Sequence, residues 1–76
     1  MNITIKPLTD QFNDPIYPVL VEIELPNRKL SEVVLFNHDR EFGEFDFGKL
    51  KDYINGSPKT FQNRIKNEIK EVIFKS

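Results

Sequence analysis

Seventy-six residues with a net charge of −1 and without cysteine, tryptophan or alanine describe one small domain over 1–76, near the lower size at which a core supports itself without staples. The absence of cysteine excludes disulfides and thiolate metal sites and fits a reducing cytoplasm. No apolar run approaches the length of a signal h-region or a membrane span, so neither secretion by the usual signal nor insertion in a bilayer is expected.

Asn2 to Lys6 alternates Ile3 and Ile5 with Asn2, Thr4 and Lys6, the period of a half-buried strand, and Pro7 closes it. Thr9 to Pro18 is rich in turn residues and reads as a loop, with Phe12, Ile16 or Tyr17 returning one apolar side chain to the core. Val19 to Leu25 is the clearest strand: Val19, Val21, Ile23 and Leu25 face one way, Leu20, Glu22 and Glu24 the other. Pro26 to Lys29 is a turn, and the β-branched and aromatic run from Leu30 to Asn37 makes a hairpin with the preceding strand. After a second turn at Asn37 to Arg40, a fourth strand over Glu41 to Phe47 completes an antiparallel meander.

The apolar period then changes from two to about 3.6. Gly48 to Asn55 places Leu50, Tyr53 and Ile54 on one helical face, with Asp46 as N-cap and Gly56 at a left-handed position past the end. Ser57 and Pro58 read as a second start signal, Ser57 capping and Pro58 at the first helical position. From Pro58 to about Phe74, the residues Phe61, Ile65, Ile69, Val72 and Ile73 form an apolar stripe opposite a polar face. Glu68 precedes Val72 by four residues and not a lysine, so no ladder of ion pairs is expected. The order ββββαα predicts an α+β domain: a four-stranded antiparallel sheet with two C-terminal helices packed on one face and the other face open. Seven phenylalanines provide bulky units for its core, since each buries on the order of 150–250 Å².

Catalysis finds little support. The single histidine, His38, sits in a turn with no serine or threonine beside it, and reads as a solvated turn residue. His38, Asp39, Glu41 and Glu44 could offer a carboxylate-rich cluster, but their spacing matches no metal-ligand pattern. Gly43 and Gly48 flank a strand and do not make a phosphate-cradling loop. Glu22 and Glu24 share a strand face that offers no closed cleft to raise a carboxyl pKa. The chain is therefore expected to be no enzyme, to carry no cofactor or metal and to take no small-molecule substrate.

Charge is spread unevenly. Met1 to Phe47 holds four basic and nine acidic residues, whereas Gly48 to Ser76 holds seven basic and three acidic. Such a division bears on partners and steering. The open sheet face, with Leu20, Glu22 and Glu24, neighbours such as Glu32 and Tyr17 at the loop edge, is the candidate protein-binding surface, acidic with scattered apolar groups. The alternative surface is the last helix, where Lys59, Arg64, Lys66 and Lys70 could touch nucleic-acid phosphates, interrupted by Glu68 and Glu71. A toxin–antitoxin or phage structural subunit is a third reading. The absence of alanine beside much Ile, Lys, Asn and Phe also fits an A/T-rich genome such as those of many bacteria and phages.

The segment Leu50-Lys51-Asp52-Tyr53-Ile54-Asn55-Gly56-Ser57-Pro58, followed by Arg64-Ile65-Lys66-Asn67 and Glu71, resembles the helical hairpin of a family of small phage anti-CRISPR proteins. That family has a similar length, the same ββββαα order, and a Phe-Asp pair before its first helix, as Phe45-Asp46 stand here. The likeness covers about thirty residues, mostly cap and core positions. It implies a wedge that attaches to the repeated backbone subunit of the type I-F surveillance complex and keeps guide RNA from pairing with target DNA. Family contacts come from tyrosines and a glutamate on the sheet. This chain departs from that pattern with Pro7 on its first strand and Glu24 on its second.

Overall fold

The computed structural model describes residues 2–38 and 43–75. Four strands, β1 (Asn2–Pro7), β2 (Ile16–Glu24), β3 (Lys29–Asn37) and β4 (Glu44–Asp46), pair antiparallel in the order β1-β2-β3-β4. A 3₁₀ turn at Gly48–Leu50 leads into α1 (Lys51–Asn55), and α2 (Lys59–Phe74) follows. The domain is α+β, with both helices on one face of the sheet.

The register decides which side chains the helices cover. Ile23 faces Ile3 and Leu30, Val21 faces Ile5 and Glu32, Val19 faces Pro7 and Val34, and Tyr17 faces Phe36, which faces Phe45. Strand side chains alternate, so these rows share one side of the sheet. Val19, Val21, Ile23, Val34 and Phe36 from the strands meet Phe47, Leu50, Ile54, Ile65, Ile69 and Ile73 in a single buried cluster. The apolar stripe of α2 is what fills it: Ile65 and Ile69 are wholly buried.

Several local expectations shift. β2 begins at Ile16, so the loop is shorter than the turn residues suggested. Pro18 fits inside the strand because its carbonyl, which accepts the Leu8 N–H at 3.1 Å, points toward the β1 side. A strand residue directs its N and C=O to the same side, and β1 has already ended there at Pro7, so the missing N–H of Pro18 removes no ladder bond. The fourth strand is only Glu44–Asp46, and Glu41 of the expected strand lies outside the described residues. Gly56 is not left-handed but has φ −81°. It and Ser57 close α1 by N–H bonds to the carbonyls of Asp52 and Ile54, as the chain turns at once into Pro58 and α2. The Ser57 hydroxyl does not cap α2; it donates back to the Tyr53 carbonyl at 2.8 Å. The left-handed glycines are Gly43, φ +76°, and Gly48, φ +55°, the second opening the 3₁₀ turn that leads into α1.

Asp46 does help open that helix, accepting the Gly48 N–H at 3.0 Å. Glu32 completes the start: one carboxylate oxygen accepts the Lys49 N–H at 2.8 Å and the other the Val33 N–H at 3.0 Å. Glu68 pairs backward with Arg64 at 3.1 Å on α2, and Glu71 pairs forward with Lys75 at its C-cap, two separate i,i+4 ion pairs that do not join into a ladder.

Candidate functional site

The face without helices carries the other set of strand residues: Thr4 and Lys6 on β1, Leu20, Glu22 and Glu24 on β2, Lys29, Ser31, Val33 and Leu35 on β3, and Glu44 and Asp46 on β4. Leu20 stands beside Val33, and Leu35 follows Val33 on the same side of β3. Val33 is 41% exposed and Leu35 37%. These three aliphatic side chains form the centre of the face. Pro18, opposite Leu35, is buried at the end where the Thr9–Gln11 turn lies against β2.

Charged residues frame that centre. Toward one end, Glu22 accepts a hydrogen bond from Lys29 at 2.6 Å and lies 3.9 Å from Lys6. The Lys29 ammonium holds the Glu22 carboxyl below its ordinary pKa by hydrogen bond and charge, with a smaller contribution from Lys6; reciprocally, Glu22 raises the Lys29 ammonium. Glu24 is exposed beside this group. Toward the other end, Asp46 faces Leu35, and Glu44 lies next along β4. The frame is thus acidic on balance, with Lys6 and Lys29 set against Glu22, Glu24, Glu44 and Asp46.

Three of the five residues anticipated for a binding face, Leu20, Glu22 and Glu24, come together there. The other two do not. Glu32 pairs with Val21 and so lies on the helix-covered side, where its backbone donors, Lys49 first and Val33 second, lower its carboxyl pKa. There it caps the turn that opens α1. Tyr17 pairs with Phe36 on that same side and packs its ring edge-on against Phe12 at 5.2 Å. Its hydroxyl donates to Asp14, which raises the phenol pKa.

The alternative cationic set divides between the two flanks of α2. Arg64 is bound to Glu68, beside a groove of about 320 Å³ lined by Ile3, Ile5, Val72 and the Glu71–Lys75 pair. Lys66 lines a separate cleft on the β4 side, and the Lys70 ammonium stands 5.9 Å above the Phe45 ring. Lys59 is exposed at the start of the helix. The four do not form one stripe.

His38 is exposed, and its ring lies among aromatic neighbours, 5.2 Å from Phe74 and 5.8 Å from Phe36. Among the described residues no three His, Asp or Glu side chains converge as a metal site, and Asp39 and Glu41 lie outside those residues. No described helix is long and apolar enough to cross a membrane. Sequence reasoning passed over Val33 and Leu35, although their alternation with Val34 and Phe36 was the available signal; it also passed over Lys51 and Asn55, which only tertiary packing brings beside Lys66. Comparison with protein-family models, curated proteins and solved structures returned no match.

Proposed function

We propose that this chain acts without catalysis, by stoichiometric association of its open sheet face with a protein partner, and that the partner is a CRISPR–Cas surveillance complex in a bacterial cytoplasm whose recognition of target DNA it blocks. The observation that carries the binding mode is the aliphatic centre Leu20, Val33 and Leu35, left uncovered inside an acidic frame. An apolar centre with a polar rim is the anatomy of a protein interface. The strands hold 6, 9, 9 and 3 residues; at about 4.8 Å by 3.3 Å each they give a face of roughly 430 Å², about half of the ~800 Å² per partner of a standard interface, so side chains at its rim complete the contact. The frame of Glu22, Glu24, Glu44 and Asp46 complements a basic surface that otherwise binds nucleic acid, steering encounter and fixing orientation.

The choice of partner rests on the likeness of Leu50–Pro58, Arg64–Asn67 and Glu71 to the anti-CRISPR family and on the shared ββββαα order. The Pro7 and Glu24 departures mean that the aliphatic centre, and not a pair of tyrosines, supplies the main contact. The test is a mobility-shift assay in which the type I-F surveillance complex binds labelled target DNA while this chain is titrated in. Binding is expected to disappear near stoichiometric addition. Undiminished DNA binding at large excess of the chain would remove this partner from the account.

A further inference from the structure

Between β4 and the two helices runs a cleft of about 360 Å³, within the size range of sites for one small ligand. Its lining includes Phe45, Asp46, Phe47, Lys51, Asn55 and Lys66. Among the described residues Lys51 and Lys66 make no ion pair or hydrogen bond, so two ammonium groups face the cleft without a described counter-ion. Among the described residues the one carboxylate in this lining, Asp46, is already engaged by the Gly48 N–H. The floor is aromatic: Phe47 is 7% exposed and its ring stacks on Phe45 at 5.6 Å and 8°. Asn55 adds a side-chain amide that both donates and accepts.

Unpaired cations beside an aromatic ring, with an amide in reach, suit a ligand that carries a phosphate, a flat π-face and a hydrogen-bonding edge together. We propose that this cleft binds a nucleotide unit, with its phosphate on Lys51 and Lys66 and its base against Phe45, presented as a free mononucleotide or within a single strand. Lys70, now 5.9 Å over the Phe45 ring, does not close the site. An exposed cation–π contact is weaker than base–aromatic stacking, so the base displaces the ammonium, which becomes a third cation for the phosphate. A bare anion would use the lysines and leave the ring idle. The site adjoins the protein-binding face at Asp46, but the aliphatic centre of that face, Leu20, Val33 and Leu35, does not line it.

Calorimetric titrations of the full chain with AMP, adenosine and inorganic phosphate, and anisotropy with a fluorescein-labelled short oligonucleotide, test this. AMP is expected to bind more tightly than either adenosine or phosphate. The double variant Lys51→Ala with Lys66→Ala is expected to weaken AMP and strand by about tenfold and to flatten the strand's log–log salt slope by about 1.4. Phe45→Leu should bring AMP affinity down toward that of phosphate; if it does not melt cooperatively, Asn55→Ala and the lysine pair carry the test. Val33→Asp, on the open face, is expected to bind AMP as the wild type does. A strand affinity well above that of AMP identifies a strand as the ligand, and equal affinities identify the free nucleotide. Phosphate binding as tight as AMP, no saturable binding of AMP or strand, or binding unchanged in the lysine double variant would overturn the proposal.

Discussion

Val33 and Val34 are neighbours on β3 with the same side chain and opposite surroundings, so replacing each by threonine isolates what the face does. Threonine keeps the branched shape and the strand preference while adding one hydroxyl. Val34 is 0% exposed inside the core cluster, whose members are all apolar. A hydroxyl left without a partner there costs about 1–3 kcal/mol. In a domain of this size each kcal/mol lowers Tm by about 4–8 °C, so Val34→Thr is expected to melt roughly 5–20 °C below the wild type. Val33 is 41% exposed and its new hydroxyl reaches water. Val33→Thr is therefore expected to stay within about 0.5 kcal/mol, or about 4 °C, of the wild type. Thermal unfolding followed by circular dichroism under one buffer condition measures both. If Val33→Thr falls as far as Val34→Thr, the face described as open is sealed in the folded protein, and the interface proposed on it has no place.

Glu22, Glu32 and Glu71 all have carboxyl pKa values depressed in the folded state, chiefly by Lys29, by the Lys49 N–H and by Lys75 respectively. A depressed folded pKa contributes stability that is present above the unfolded value and lost as pH falls through the folded one, so stability is expected to decline below about pH 4.5, the ordinary glutamate value. Urea titrations at stepped pH measure it: the gap between wild type and Glu22→Gln should close as pH drops, and a gap that stays constant on acidification contradicts the Lys29 pairing. Gly48 has φ +55°, and a Cβ there would lie 2.8 Å from the Glu32 carboxylate oxygen that holds the Lys49 N–H. Gly48→Ala is expected to lose about 1–2 kcal/mol from backbone strain alone, with further loss as Glu32 is pushed aside; an unchanged melting temperature would show that this turn does not need its glycine.

The order of elements could be read from the chain because the apolar period changes once, from two in Val19–Leu25 to about 3.6 in Phe61–Ile73. The face of β3 could not. Val33-Val34-Leu35-Phe36 is apolar at every position, so alternation alone does not say which pair turns inward. That choice is made by the hairpin, which sets Glu24 opposite Lys29 and closes with the Leu25 N–H on the Arg28 carbonyl. Once it is made, Glu32 turns toward the helices and Val33 and Leu35 turn out. Tyr17 was hidden for a different reason: Pro18 reads as a strand breaker until the early end of β1 is known. The β4 cleft has no local signature at all, since Phe45, Lys51 and Lys66 meet only when α2 packs beside the sheet edge. Gly56 caps α1 without a left-handed turn and the Ser57 hydroxyl turns back to α1 instead of capping α2, because the link between the helices is too short to hold a separate stop and start.

The most direct measurement is a calorimetric titration of the type I-F surveillance complex with the wild-type chain, Val33→Asp and Lys66→Glu, each first verified to melt cooperatively. Val33→Asp places a carboxylate in the aliphatic centre of the contact, where an unpaired charge is costly to bury, and is expected to weaken association by about 100-fold or more. Lys66→Glu, on the opposite side of the domain's sheet edge, is expected to bind as the wild type does. Equal affinity of Val33→Asp and wild type, with loss in Lys66→Glu, would contradict the assignment of the open sheet face as the working surface.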